Sequence, residues 1–213
     1  DLEKTVEACV ASRLLNSGQS CIAAKRFILV AAIADEFVQR FRAAVEALIL
    51  GDPMDPETHI GPLARIDLRD ALHQQVIDSI SAGAVAVTGC NPEARAGAWY
   101  QPSILDRVAP GMPAWSEELF GPVALIIRAA DEAEAVRIAN DTDFGLGGSV
   151  WTTDSARGER IARQLECGCA FVNGLVKSDP RLPFGGIKHS GYGRELSQLG
   201  IREFVNAKTI WIR

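Results

Sequence analysis

Two short, unbroken apolar runs constrain this chain more than any other feature. Phe27-Ile28-Leu29-Val30 and Val123-Ala124-Leu125-Ile126-Ile127 are too short for helices and show no polar alternation, the pattern of strands buried on both faces. Such strands need helices above and below them. The sequence supplies these. Leu2, Val6, Val10 and Leu14 recur at helical spacing up to a turn at Asn16, and Phe37, Phe41, Val45 and Leu48 mark a helix over about Ile33–Leu48. Ile66–Ser81, Glu132–Asn140 and Ala156–Leu165 carry similar helical patterns, and further strands are expected at Ala84–Thr88, Tyr100–Val108, Ser149–Thr152 and Ala170–Asn173. Strands alternating with helices of this length predict an α/β fold, a mostly parallel sheet with helices on both faces.

With 213 residues, the chain is long enough to bury a sizeable core without staples. Its net charge of -5 is spread without any Lys/Arg block, which argues against nucleic acid as a partner. No apolar run approaches the ~18 residues of a membrane span. The five cysteines, Cys9, Cys21, Cys90, Cys167 and Cys169, are odd in number and scattered. That usage suits a reducing, cytoplasmic setting better than a secreted disulfide framework. Asp1-Leu2-Glu3-Lys4-Thr5 has neither a basic region nor an apolar stretch, so it does not read as a signal peptide, and the chain is expected to begin inside a larger protein.

Beyond Asn173 the periodicity fails through Leu182-Pro183-Phe184-Gly185-Gly186, and a long loop of this kind inside a compact domain is usually functional. A short helix near Glu195–Ile201 precedes a mixed, imperfectly alternating segment, Phe204 to Ile212, that reads as a terminal strand. Nothing in composition divides the chain, so one main domain with a terminal appendage is expected.

Cys21 is the sharpest candidate for chemistry. It follows the turn residues Asn16-Ser17-Gly18-Gln19-Ser20 and precedes a core strand, where a thiol can be exposed on rigid surroundings while Gly18 permits close backbone approach. Position alone leaves two readings open, because a lone cysteine is more often a small core residue. No metal site is expected: Cys167-Gly168-Cys169 lacks zinc-ligand spacing, and His59, His73 and His189 lie far apart. Gly191-Tyr192-Gly193-Arg194-Glu195-Leu196 has Leu where a dinucleotide fingerprint needs its third Gly, and no G-x-S-x-G elbow is present.

The wider window around Cys21, Asn16-Ser17-Gly18-Gln19-Ser20-Cys21-Ile22-Ala23-Ala24-Lys25, resembles the active-site cysteine signature of the aldehyde dehydrogenase superfamily. Two further blocks resemble that family in the same order. They are Glu117-Glu118-Leu119-Phe120-Gly121-Pro122-Val123, and Leu182-Pro183-Phe184-Gly185-Gly186-Ile187-Lys188 running into Ser190-Gly191-Tyr192-Gly193-Arg194-Glu195. Gly51-Asp52-Pro53 and Asn140 to Gly145 fit as well, so the resemblance covers essentially the whole chain. In wording it is most similar to the bacterial succinate-semialdehyde dehydrogenases.

The resemblance implies NAD(P)-dependent oxidation of an aldehyde to the carboxylic acid through a cysteine thiohemiacetal and thioester. Cys21 would be the nucleophile and its own N–H an oxyanion donor. Glu118 would take the nicotinamide ribose hydroxyls, Phe120 would pack near the nicotinamide ring, and Ser178 would line the substrate mouth. NAD and NADP both remain open. Residues 1–202 would form the thiol-bearing catalytic domain, and 203–213 a strand that crosses to a neighbouring subunit of a dimer or tetramer. The family's nucleotide-binding domain, general base and second oxyanion donor would lie outside this chain, so that the isolated chain would not turn over. Some members carry an Arg six residues before the nucleophile to hold a substrate carboxylate, whereas Leu15 stands there here. A broad aliphatic or aromatic aldehyde dehydrogenase is therefore the second reading, and a non-catalytic α/β assembly module with a buried Cys21 is the alternative of another class.

Overall fold

The computed structural model describes all 213 residues. In chain order the elements are α1 (Leu2–Leu14), β1 (Arg26–Val30), α2 (Ala31–Glu46), α3 (Ile66–Ser81), β2 (Val85–Thr88), β3 (Ser103–Asp106), α4 (Pro113–Ser116) and β4 (Val123–Ala129). They continue with α5 (Glu132–Asn140), β5 (Phe144–Gly145), β6 (Gly147–Val150), α6 (Ser155–Ala162), β7 (Cys169–Val172), β8 (Ile187–Lys188) and α7 (Ser197–Arg202). No helix is long and apolar enough to cross a membrane.

β4 is the axis of the main sheet, whose order is β1-β4-β3-β2. It pairs in parallel with β1 on one side and β3 on the other, while β2 runs antiparallel at the edge. Because side chains alternate across a strand, β4 feeds two cores. Val123, Leu125, Ile127 and Ala129 pack with Leu72 and Val76 of α3 and Ile138 of α5. Ala124 and Ile126 pack on the other face with Val6 and Cys9 of α1 and with Phe37, Phe41 and Val45 of α2. Phe41 lies 5.2 Å from Phe27 and 5.4 Å from Phe37 between ring centroids. Helices cover both faces, as the apolar runs require.

The strands do not form one continuous sheet. β6 and β7 make a separate parallel ladder, and β5 pairs antiparallel with β8. β6 also starts earlier than its Val and Thr suggest, at Gly147. Glycine is accommodated there because Val176 and Leu165 fill the space its side chains would take: a Cβ at Gly147 would sit 2.7 Å from Val176 Cγ1, and one at Gly148 3.1 Å from Leu165 Cδ1.

The strand expected at Tyr100–Val108 shrinks to Ser103–Asp106, since Pro102 cannot donate to a ladder and Tyr100 makes only an isolated bridge with Pro92. α7 begins at Ser197 because Glu195 is engaged in a two-way backbone bridge with Phe184, 2.8 and 2.9 Å. In α1 the buried positions are Val6, Cys9, Ser12 and Arg13 rather than the Leu2, Val10 and Leu14 stripe. Phe204 to Ile212 forms no strand within the chain: backbone donation ends at Val205, and Phe204, Ile210, Trp211 and Ile212 are exposed. A ladder needs a partner edge, and this segment meets none here.

Candidate active site

β1 and β4 are parallel neighbours, so the segments entering them lie at the same end of the strands. One is Asn16 to Lys25, before β1, and the other is Glu117 to Pro122, before β4. The ladder extends into the first of these, with Leu125 N donating to Lys25 O at 3.0 Å. The two segments then touch through glycine. Gly18 has φ +77, and a Cβ there would overlap the Gly121 carbonyl and approach Pro122 N to 2.8 Å. Only a residue without a side chain allows this crossing.

Asn16 and Ser17 precede Gly18 with φ of 52 and 55, so three successive residues occupy the left-handed region, a costly arrangement that persists only where surrounding contacts impose it. Those contacts are present. Arg13 Nη2 donates to Gly18 O at 2.7 Å, Gly61 N donates to Ser17 Oγ at 3.2 Å, and Ala64 N donates to Gln19 Oε1 at 2.8 Å.

Cys21 stands on the next turn, closed by Ala23 N donating to Ser20 O at 3.1 Å. It is exposed, while Cys9 and Cys90 are buried. Burial pushes the Cys9 thiol up to about 12 and the Cys90 thiol up to about 11. The N–H of Cys21 donates to no group of the chain. An exposed thiol and an unspent N–H thus belong to the same residue, which suits nucleophilic addition to a carbonyl whose oxygen needs a donor.

Glu118 and Phe120 reach the same place from the β4 side. With Leu68, Leu72, Gln75 and Glu117 they line a groove of about 520 Å³ beside α3 and α4. Phe120 is 42% exposed although it is a large apolar ring. An acceptor-only carboxylate thus stands next to an uncovered aromatic face. Ser178 is not brought into this cluster; it is exposed on the loop between β7 and β8, and no hydrogen bond ties it to the Cys21 turn.

Two cations of the site went unassigned in the sequence. Lys25 Nζ lies 2.9 Å from Glu118 Oε1 and 5.5 Å from the Phe120 ring centroid. Arg13 is 1% exposed, and its Nε and Nη1 have no hydrogen-bond partner. Burial lowers the Arg13 pKa, an effect that nearby Glu118 partly offsets. The available signal for Arg13 was a charged residue on the face of α1 that carries Val6 and Cys9.

The aldehyde dehydrogenase family profile matches residues 1–210. The chain belongs to the aldehyde dehydrogenase family. Among family members, it is 51% identical over 212 residues to the NADP(+) succinate-semialdehyde dehydrogenase 1 of Mycobacterium ulcerans, covering 100% of this chain and 46% of that protein. To the NAD(P)+ succinate semialdehyde dehydrogenase Sad of Escherichia coli it is 50% identical over 211 residues, covering 99% of this chain and 46% of that one. The crystal structure of succinic semialdehyde dehydrogenase from Streptococcus pyogenes in complex with NADP+ superimposes with a TM-score of 0.96 at 37% identity, covering 100% of this chain and 47% of that chain. The chain spans about half the length of the curated relatives it matches.

Proposed function

We propose that this chain is the thiol-bearing part of an NAD(P)-dependent aldehyde dehydrogenase acting on succinate semialdehyde. The observation that carries the reading is the joint placement of an exposed Cys21, its unspent N–H, and the Glu118–Phe120 groove where the parallel strands β1 and β4 begin. The succinate-semialdehyde specificity in the names of its relatives supports the choice of substrate.

In this reading the Cys21 thiolate adds to the aldehyde carbon, forming a C–S bond and a tetrahedral oxyanion that accepts from the Cys21 N–H. Loss of one such donor typically costs ~10²–10³ in rate. The nicotinamide cofactor, when bound, accepts the hydride released as the oxyanion collapses to a thioester. Glu118 would hold the ribose hydroxyls and Phe120 would flank the nicotinamide ring. Water then hydrolyses the thioester and regenerates the thiol. The base that activates this water, the second oxyanion donor and the adenosine contacts lie, in the same reading, outside these 213 residues. Ser178, exposed on the β7–β8 loop away from the Cys21 turn, would reach only the outer mouth of the substrate path, and Leu15 leaves the substrate carboxylate to groups other than an arginine at that position.

The cytoplasm suits this reading, because all five cysteines remain free thiols and a reducing compartment keeps them so. Residues 203–213 are to pair with a neighbouring subunit of a homo-oligomer, which would cover the exposed Phe204, Ile210, Trp211 and Ile212. The test compares kcat/KM for succinate semialdehyde and an uncharged aldehyde of similar length in a full-length enzyme carrying these residues. A preference of tenfold or more, roughly, supports the carboxylate substrate; equal values favour the broad aliphatic or aromatic reading.

A further inference from the structure

Lys25 is bound to both halves of the site at once. Its Nζ donates to the carbonyls of Ser20, Cys21 and Ala23 at 3.2, 3.3 and 3.2 Å and pairs with Glu118 Oε1 at 2.9 Å. An ammonium has three protons, and here four acceptors surround it, three from the turn that carries the thiol and one from the carboxylate at the groove. The Lys25 side chain is 16% exposed, against 38% for Glu118. Burial lowers the Lys25 pKa and the neighbouring Arg13 adds to this, while Glu118 and Cys21 work the other way. The opposite charge of Glu118 at 2.9 Å favours the ammonium form against that burial.

We propose that Lys25 is a positioning residue for the dehydrogenase reaction, fixing the Glu118 carboxylate relative to the Cys21 turn so that one ammonium ties the cofactor's seat to the backbone that carries the thiol. The proposal rests on the reading of Cys21 as nucleophile and Glu118 as ribose acceptor. Holding Oε1 leaves the second carboxylate oxygen to accept from a diol. The three carbonyl bonds keep the turn from pivoting when that happens. A rigid link between the two segments pre-orients the Glu118 acceptor before the cofactor arrives, so its loss is read in cofactor KM. The Gly18–Gly121 contact fixes the backbones of these segments; Lys25 ties the Glu118 carboxylate to the backbone carbonyls of the Cys21 turn.

The experiment is a double-mutant cycle on cofactor KM in a full-length enzyme carrying these residues. Lys25→Met is expected to raise cofactor KM about tenfold and Glu118→Gln to raise it similarly, with the double variant no worse than the larger single effect, because both remove the same arrangement. Lys25→Arg, which keeps the counter-ion, should return cofactor KM to within about threefold of the parent. A purely structural lysine would instead lower the active fraction, seen as a fall in kcat at unchanged cofactor KM. Should Lys25→Met fail to fold, Lys25→Gln is read by the same criteria. An unchanged cofactor KM, or effects of the two substitutions that simply multiply, overturns the proposal. Failure of the underlying reading looks different: the parent would oxidise no aldehyde, or Cys21→Ser would remain active.

Discussion

The Lys25 ammonium lies 2.9 Å from Glu118 Oε1, joining the two segments that enter the neighbouring parallel strands β1 and β4. That pairing, with the Gly18–Gly121 contact behind it, makes one site out of sequence blocks that are far apart along the chain. Each part of it can be perturbed separately.

The glycine crossing is the most demanding part. Gly18→Ala puts a Cβ against backbone on the opposite segment, at a φ of +77 where side chains are disfavoured. Left-handed strain and overpacking together are expected to cost about 2–4 kcal/mol. Chemical denaturation checks this through the unfolding midpoint, and a shift corresponding to less than about 0.5 kcal/mol would show that the segments can part without penalty.

Thiol reactivity should separate the cysteines by pH in the 213-residue chain itself. Burial disfavours the thiolate, so with values of about 12 for Cys9 and about 11 for Cys90 both remain protonated at pH 8. A thiol at about 12 is ~10⁻⁴ ionised there, and burial also bars reagents from Cys9, whereas Cys21 is exposed. Peptide mapping after alkylation should therefore find Cys21 modified at least ~100-fold faster than Cys9 in the folded chain, with the difference abolished by denaturant. Equal rates in the folded chain would remove the basis for a reactive Cys21. The same chain should form no NAD(P)H from aldehyde.

Replacing Glu118 with Gln keeps the size of the side chain but removes its charge. Cofactor KM should rise about tenfold while alkylation of Cys21 continues. Unchanged cofactor kinetics would separate Glu118 from the ribose.

Much of this architecture was legible in the sequence. The unbroken runs at Phe27–Val30 and Val123–Ile127 gave strands covered on both faces, and the Phe37, Phe41, Val45 stripe gave the helix that covers one of them. The break-up of the sheet was not legible, because Gly147 and Gly148 enter a strand only where Val176 and Leu165 fill their empty positions. Cys21, Glu118 and Phe120 could be named from their blocks, but not the pairing of β1 with β4 that gathers them. Arg13 and Lys25 escaped notice because a single cation beside an apolar stretch carries no signal until its counter-ion is seen. Ser178 has only its place on a loop to recommend it.

The terminal segment can be tested by removal. Deleting Phe204–Arg213 from the full-length enzyme should reduce its oligomer size by light scattering, since these exposed apolar residues have no partner within the chain. An unchanged oligomer would assign assembly to another surface.

In the proposed reaction, oxidation passes through a covalent bond to Cys21. The most direct measurement is the mass of the Cys21 peptide after a full-length enzyme is mixed briefly with succinate semialdehyde and NADP and quenched in acid. The account predicts a gain of one succinyl group on that peptide, absent from the Cys21→Ser variant, together with a fall in NADPH formation to below about 1% of the parent. An acyl group found on another residue, or a Cys21→Ser enzyme that keeps more than a few per cent of its activity, would contradict it.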